Sequence, residues 1–123
     1  MTTLRNRIKA LAYRWYYRRI NRLAWEGAPS PEIKTSFLQL PLPEQTLGAR
    51  MYHGSRHRPL IIYFHGGGWT IGDLYTHHPF CLRLADQTHC TIMSIDYRLA
   101  PEYPFPAAHE DAMAASRWII DNL

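Results

Sequence analysis

The chain has 123 residues, 46% hydrophobic and 20% charged, which gives room for one domain with a moderate core and excludes a disordered or fibrous protein. Its net charge of +4 is unevenly distributed: residues 1–25 carry seven basic side chains (Arg5, Arg7, Lys9, Arg14, Arg18, Arg19, Arg22) and no acid, and the remainder is net negative. The basic character belongs to one segment, so nucleic acid is not an expected partner of the domain. No apolar run is long enough to cross a bilayer, and the run at 10–13 breaks at Arg14, too early for a signal peptide. A cytoplasmic protein is expected, with Cys81 and Cys90 as buried thiols because they form no CxxC pair.

Residues 3–25 are predicted to be helical. Leu4, Ile8, Leu11 and Trp15 fall at spacings of 4, 3 and 4, and Ala12, Tyr16, Ile20 and Leu23 widen the stripe. The stripe is expected to pack on the protein with the arginines in solvent. A basic helix rich in Trp and Tyr has a second use, docking on anionic lipid or nucleic acid. Residues 27–34 (GAPSPEIK) read as a linker, which divides the chain into an N-terminal helical segment with linker (1–30) and a core (31–123).

Two strands are predicted at 35–40 and 45–53, paired antiparallel through the Pro41-Leu42-Pro43-Glu44 turn, with Leu47, Ala49 and Met51 on one face. The apolar run 60–64 suits a strand buried on both faces. A helix is predicted at about 77–88, capped by Thr76 and facing inward with Phe80, Cys81, Leu84 and Ala85. A second buried strand at 91–95 and a helix at 106–122, with the stripe Ala108, Ala112, Ala115 and Ile119, complete the series. Strand, helix, strand, helix implies a parallel α/β sheet begun by an antiparallel strand.

The strand at 60–64 runs into His65, Gly66, Gly67, Gly68 and Trp69. Glycine is costly to order, so three together point to a backbone required where side chains would obstruct. Ligands of open α/β sheets bind beyond the carboxyl ends of strands, where this segment falls. A phosphate cradle would need GxGxxG or a loop ending in Lys-Ser/Thr, and neither is present. The remaining chemistry is an oxyanion hole, in which backbone N–H groups stabilise charge developing on an attacked carbonyl. A tight structural turn is the plain alternative.

Three blocks, HGGGWTIGD, THHPFCLRLAD and DYRLAPEYPFPAA, stand in an order and spacing that resemble the hormone-sensitive-lipase-type esterases, which include acetyl esterases. The resemblance covers roughly residues 25–123 and implies the N-terminal portion of an α/β-hydrolase fold. It implies that Gly67 and Gly68 supply oxyanion N–H groups, that Gly66 shapes the turn, and that His65 braces the loop. The N-terminal helix would resemble the small cap folded over the acyl pocket, with Trp69 and the loop through Tyr75 at the pocket rim. The family often carries an acid where Tyr75 stands. Asp96, Arg98 and Glu102 would brace the site, with Asp96 and Arg98 paired. The implied substrate is a small acyl ester, and no cofactor or metal is implied.

The fold's nucleophile sits in a GxSxG elbow, followed by an acid and then a histidine. None of the five serines fits: Ser30, Ser36, Ser55, Ser94 and Ser116 all lie in other contexts. The elbow is expected beyond Leu123, with the acid and base, so this chain is expected to be inactive alone. The HEDAM segment imitates a zinc motif, but Met113 occupies the second ligand position, and His77, His78 and Cys81 lack a fourth ligand. Cys81 has no partner base to make it a nucleophile. Without an elbow strand beside it, the strand at 60–64 is expected at the sheet edge, open to pairing with a partner chain that would complete the sheet.

Overall fold

In the computed structural model, which describes residues 3–123, the seven predicted elements all form; the first two residues of the predicted 1–30 segment lie outside the described residues. They are α1 (Leu4–Trp25), β1 (Thr35–Pro41), β2 (Thr46–Tyr52), β3 (Leu60–Tyr63), α2 (His78–Thr88), β4 (Thr91–Ile95) and α3 (Ala107–Asn122). The sheet order is β1-β2-β4-β3. β1 pairs antiparallel with β2, β2 antiparallel with β4, and β3 parallel with β4. This is a mixed, open four-stranded sheet preceded by an N-terminal helix, the arrangement expected from the sequence.

Strand alternation divides the core between the two faces. Leu40, Leu47, Ala49, Met93 and Ile95 point to one side and meet Ala115 and Ile119 of α3. Tyr52 and Ile92 point to the other and meet Cys81, Leu82 and Ala85 of α2. The sheet is therefore a middle layer with one helix on each face. β4 lies between two strands and is buried along nearly its whole length. β3 is only half-buried, because it has a strand on one side alone; the expected burial on both faces does not occur at this edge.

Smaller expectations are corrected as well. Thr76 does not cap α2: its N-cap is His77, without a side-chain bond, and the Thr76 hydroxyl instead accepts from Asp73 N and donates to Asp73 O. Phe80 faces solvent, and Leu82 takes the inward position. Both cysteines are free and buried.

α1 departs most from expectation. Its apolar stripe is exposed, with Leu4 74%, Ile8 57%, Leu11 60% and Trp15 65% accessible. The helix instead docks through Ala10, its one buried residue, and through Arg14, Tyr17 and Asn21 at the same helical spacing. Arg14 pairs with Glu102 and Arg18 with Asp73. A partly buried charge is costly without a partner, and two carboxylates on the loops of the core supply partners on this side. Among the described residues no helix is long and apolar enough to cross a membrane.

Candidate functional site

β3 ends at Tyr63, and the chain turns off the sheet through residues 64–72 beyond the strand's carboxyl end. Gly67 takes φ +134° and Gly68 φ +58°, and Trp69 follows in the left-handed region at φ 59°. The turn closes on Gly67 O, which accepts from Thr70 N (3.2 Å) and Ile71 N (3.1 Å). The N–H groups of Gly66, Gly67 and Gly68 have no partner among the described residues. Gly67 is fixed by contact as well as by angle: a Cβ there would lie 2.0 Å from Ile71 O. Gly66 and Gly68 have open space where a Cβ would be.

His65 sits beneath this turn, almost fully buried. Its Nδ1–H donates to Gly66 O (2.9 Å), which sets the tautomer, and its ring stacks on Tyr97 at 4.4 Å between centroids. The Tyr97 hydroxyl donates to His65 O. Gly72, at φ +93°, passes so close that a Cβ would lie 2.5 Å from His65 Nδ1. His65, Tyr97 and Gly72 thus form a floor under the glycine turn. Tyr97 and Gly72 were not singled out from sequence; the glycine four residues after Trp69-adjacent Gly68 was the available signal for the second.

A cavity of about 310 Å³ opens over the turn, lined by Phe64, His65, residues 66–69, Tyr97, Ala108, His109 and Ala112. His109 reaches it from α3, its ring 5.5 Å from that of Trp69. The structure therefore brings His65, Gly66, Gly67, Gly68 and Trp69 together around one space. Tyr75, Asp96 and Glu102 line a different, larger hollow between α1 and the core, with Arg14, Arg18 and Asp73. Tyr75 is exposed there, its ring stacked on the Arg50 guanidinium.

The expected Asp96–Arg98 pair does not form. Arg98 turns to Asp111 of α3, donating from Nε (3.0 Å), Nη2 (2.8 Å) and its backbone N–H (2.8 Å). Asp111 is 1% exposed and also accepts from Gln45 of the β1–β2 turn. Asp111 outcompetes Asp96 because a fully enclosed carboxylate must be matched by several donors, whereas Asp96 keeps contact with solvent. Although Asp96 stays open to solvent, partial desolvation of its carboxyl in this hollow raises it above its ordinary value. The Asp73 carboxyl is raised by burial, but N–H groups of Thr76 and Tyr75 and the Arg18 guanidinium outweigh this and hold it low. The hydrogen bond from Arg14 likewise lowers Glu102.

Burial lowers the pKa of His65, of His77 (helped by His65) and of His78 (helped by Arg50). The unfolded chain binds protons at these sites near pH 6.5, before the folded chain does. Stability therefore falls as pH drops from about 6.5 towards the lower folded values. Urea midpoints are expected to be level between pH 7.5 and 8.5 and to decline between pH 6.5 and 5.5. A midpoint constant down to pH 5.5 contradicts this.

A family model described as alpha/beta hydrolase fold matches residues 61–123. The carboxylic ester hydrolase LipN of Mycobacterium tuberculosis is 45% identical over 105 residues, covering 82% of this chain and 28% of LipN. Esterase LipI of the same organism is 41% identical over 97 residues, covering 75% of this chain and 30% of LipI. Among solved structures, the hyperthermophilic esterase of the archaeon Pyrobaculum calidifontis superposes with a TM-score of 0.85 at 34% identity, covering 92% of this chain and 37% of that one. The chain spans less than two-fifths of the length of each of these relatives.

Proposed function

Because the chain belongs to the hormone-sensitive-lipase-type esterases of the α/β-hydrolase fold, we propose that it is the oxyanion-binding part of a serine carboxylesterase acting on short-chain acyl esters. The observation that carries this reading is the unbonded N–H pair of Gly67 and Gly68 on the rim of a small cavity. In the complete enzyme a serine hydroxyl attacks the ester carbonyl while a histidine, oriented by an acid, takes its proton. The carbonyl oxygen becomes an oxyanion, and Gly67 and Gly68 donate to it. Because the turn holds those N–H groups in place before the substrate arrives, no reorganisation is needed as charge develops, and each donor contributes about a hundredfold to a thousandfold in rate. His65 supports the turn from below, and Trp69 borders the acyl group.

The serine, acid and histidine are expected outside residues 1–123, so these residues alone should form no acyl-enzyme. Incubated with a fluorophosphonate, the purified 123-residue chain is expected to remain unlabelled, and a covalent adduct on any of its serines would refute this assignment. The intact mass of the native protein in its source cell, probed with an antibody to this chain, separates the two arrangements. A longer polypeptide should hydrolyse p-nitrophenyl acetate and butyrate faster than the palmitate. A native chain of 123 residues would instead favour the second reading, a non-catalytic protein whose free β3 edge pairs with a partner chain.

A further inference from the structure

Arg14 projects from α1 into both loops that frame the glycine turn. Its Nε donates to Thr70 O (2.8 Å), and its Nη2 donates to Ala100 O (2.9 Å). Nη1 and Nη2 also grip the Glu102 carboxylate, at 3.1 and 2.7 Å. One planar fork thus engages two backbone carbonyls and a carboxylate at once, which uses most of its five donors.

The two carbonyls are placed where they affect the turn. Thr70 belongs to the turn itself, since its N–H and that of Ile71 close onto Gly67 O. Ala100 is tied to the same turn by its own N–H, which donates to Trp69 O at 2.8 Å. The glycine segment is therefore held from below by His65 and Tyr97 and from the side by Ala100 and Arg14. The helix carrying Arg14 buries little apolar surface of its own, with Ala10 alone fully enclosed. Its docking and the position of the loop depend on the same guanidinium.

We propose that Arg14 is a positioning residue for the Gly67 and Gly68 donors, and that α1 acts as a splint which keeps their N–H groups turned to the cavity. This rests on the oxyanion reading of the glycine segment. Withdrawal of α1 removes the Arg14 bonds to both loops together, because a rigid fork cannot release one carbonyl and keep its geometry on the others. Lysine at this position carries a point charge that reaches one acceptor well and cannot span all three. Arg14→Lys should therefore hold the helix better than Arg14→Ala while holding the loop only in part.

Amide exchange and 15N relaxation on the 123-residue chain test this directly. The reporters are Thr70 and Ile71 N–H, bonded to Gly67 O, and Ala100 N–H, bonded to Trp69 O. In Arg14→Ala these amides are expected to exchange about tenfold faster or more, with β4 amides unchanged. The heteronuclear NOE of Gly67 and Gly68 should fall in parallel. Arg14→Lys is expected to lie between wild type and Arg14→Ala, and it carries the test if the alanine variant does not fold. Glu102→Gln keeps both carbonyl bonds and should move the reporters least. Faster exchange confined to α1, with the turn unchanged, would mean that Arg14 only anchors the helix and would overturn the proposal. Equal acceleration in the turn and in β4 would overturn it too, as a general loss of stability. Neither readout depends on hydrolysis, so an absence of esterase activity in a longer polypeptide would remove the oxyanion reading and leave these measurements standing.

Discussion

Asp111→Ala is expected to lower the stability of the chain by about 3 kcal/mol, read as a shift in the urea-unfolding midpoint. The carboxylate is enclosed by α3 and accepts three hydrogen bonds' worth of donors from Arg98 and one from Gln45. It therefore joins α3, the β1–β2 turn and the segment after β4. Its removal strands the Arg98 backbone N–H and the Gln45 amide and takes the counter-charge from a guanidinium. The Arg98 side chain is 26% exposed, so it can turn partly into solvent, and the loss falls at the lower end of the range for breaking a buried pair. Asp96→Ala supplies the contrast. Asp96 makes no side-chain hydrogen bond among the described residues and remains exposed to solvent, so its loss strands no partner. That change is expected to lie within about 0.5 kcal/mol of wild type. Equal effects at the two positions would mean that Asp111 balances Arg98 no more than the carboxylate nearer in sequence does.

The contrast between Asp96 and Asp111 marks where sequence stops being informative. Periodicity located every element because alternation and helical spacing are imposed by the backbone; Thr91–Ile95 was placed to the residue. A turn at the glycine segment was equally legible, but the expectation that side chains would obstruct all three positions holds at Gly67 alone, since Gly66 and Gly68 have open space. Partners of charged groups were not legible. Asp111 interrupts the alanine stripe of α3, between Ala108 and Ala115, and a carboxylate on a buried stripe demands donors. That signal was available and points to a network, although not to Arg98 as its member. For α1 the spacing of Leu4, Ile8, Leu11 and Trp15 gave a misleading answer. Its orientation is decided by Glu102 and Asp73, which lie far along the chain and whose bonds leave no periodic trace. An apolar stripe identifies a helix; the ion pairs on its other side decide which face docks.

Gly67→Ala is expected to cost about 3 kcal/mol or more in stability, or else to force the turn into a different conformation. The added methyl would meet Ile71 O at 2.0 Å and Ile71 C at 2.6 Å, in a backbone conformation, φ +134°, that L residues rarely adopt. Ile71 cannot simply retreat, because its N–H and that of Thr70 both bond to Gly67 O and define the turn. The neighbours provide an internal scale. Gly66→Ala meets nothing within 4 Å and should be nearly silent, and Gly68→Ala has space but pays about 1 kcal/mol for its left-handed φ. The expected order of destabilisation is thus Gly67, then Gly68, then Gly66, measured by urea midpoints and by the amide shifts of Thr70 and Ile71. The substitution leaves the N–H of residue 67 in place and changes only where it points. In a polypeptide that carries the nucleophile, Gly67→Ala should lower kcat by about a hundredfold with a much smaller change in KM, since the oxyanion exists only as the reaction proceeds. A Gly67→Ala protein with displaced Thr70 and Ile71 shifts but unchanged kcat would place the oxyanion donors elsewhere. A protein with displaced shifts and kcat lowered as stated would show that the position of the N–H, and not its presence, is what glycine at position 67 secures.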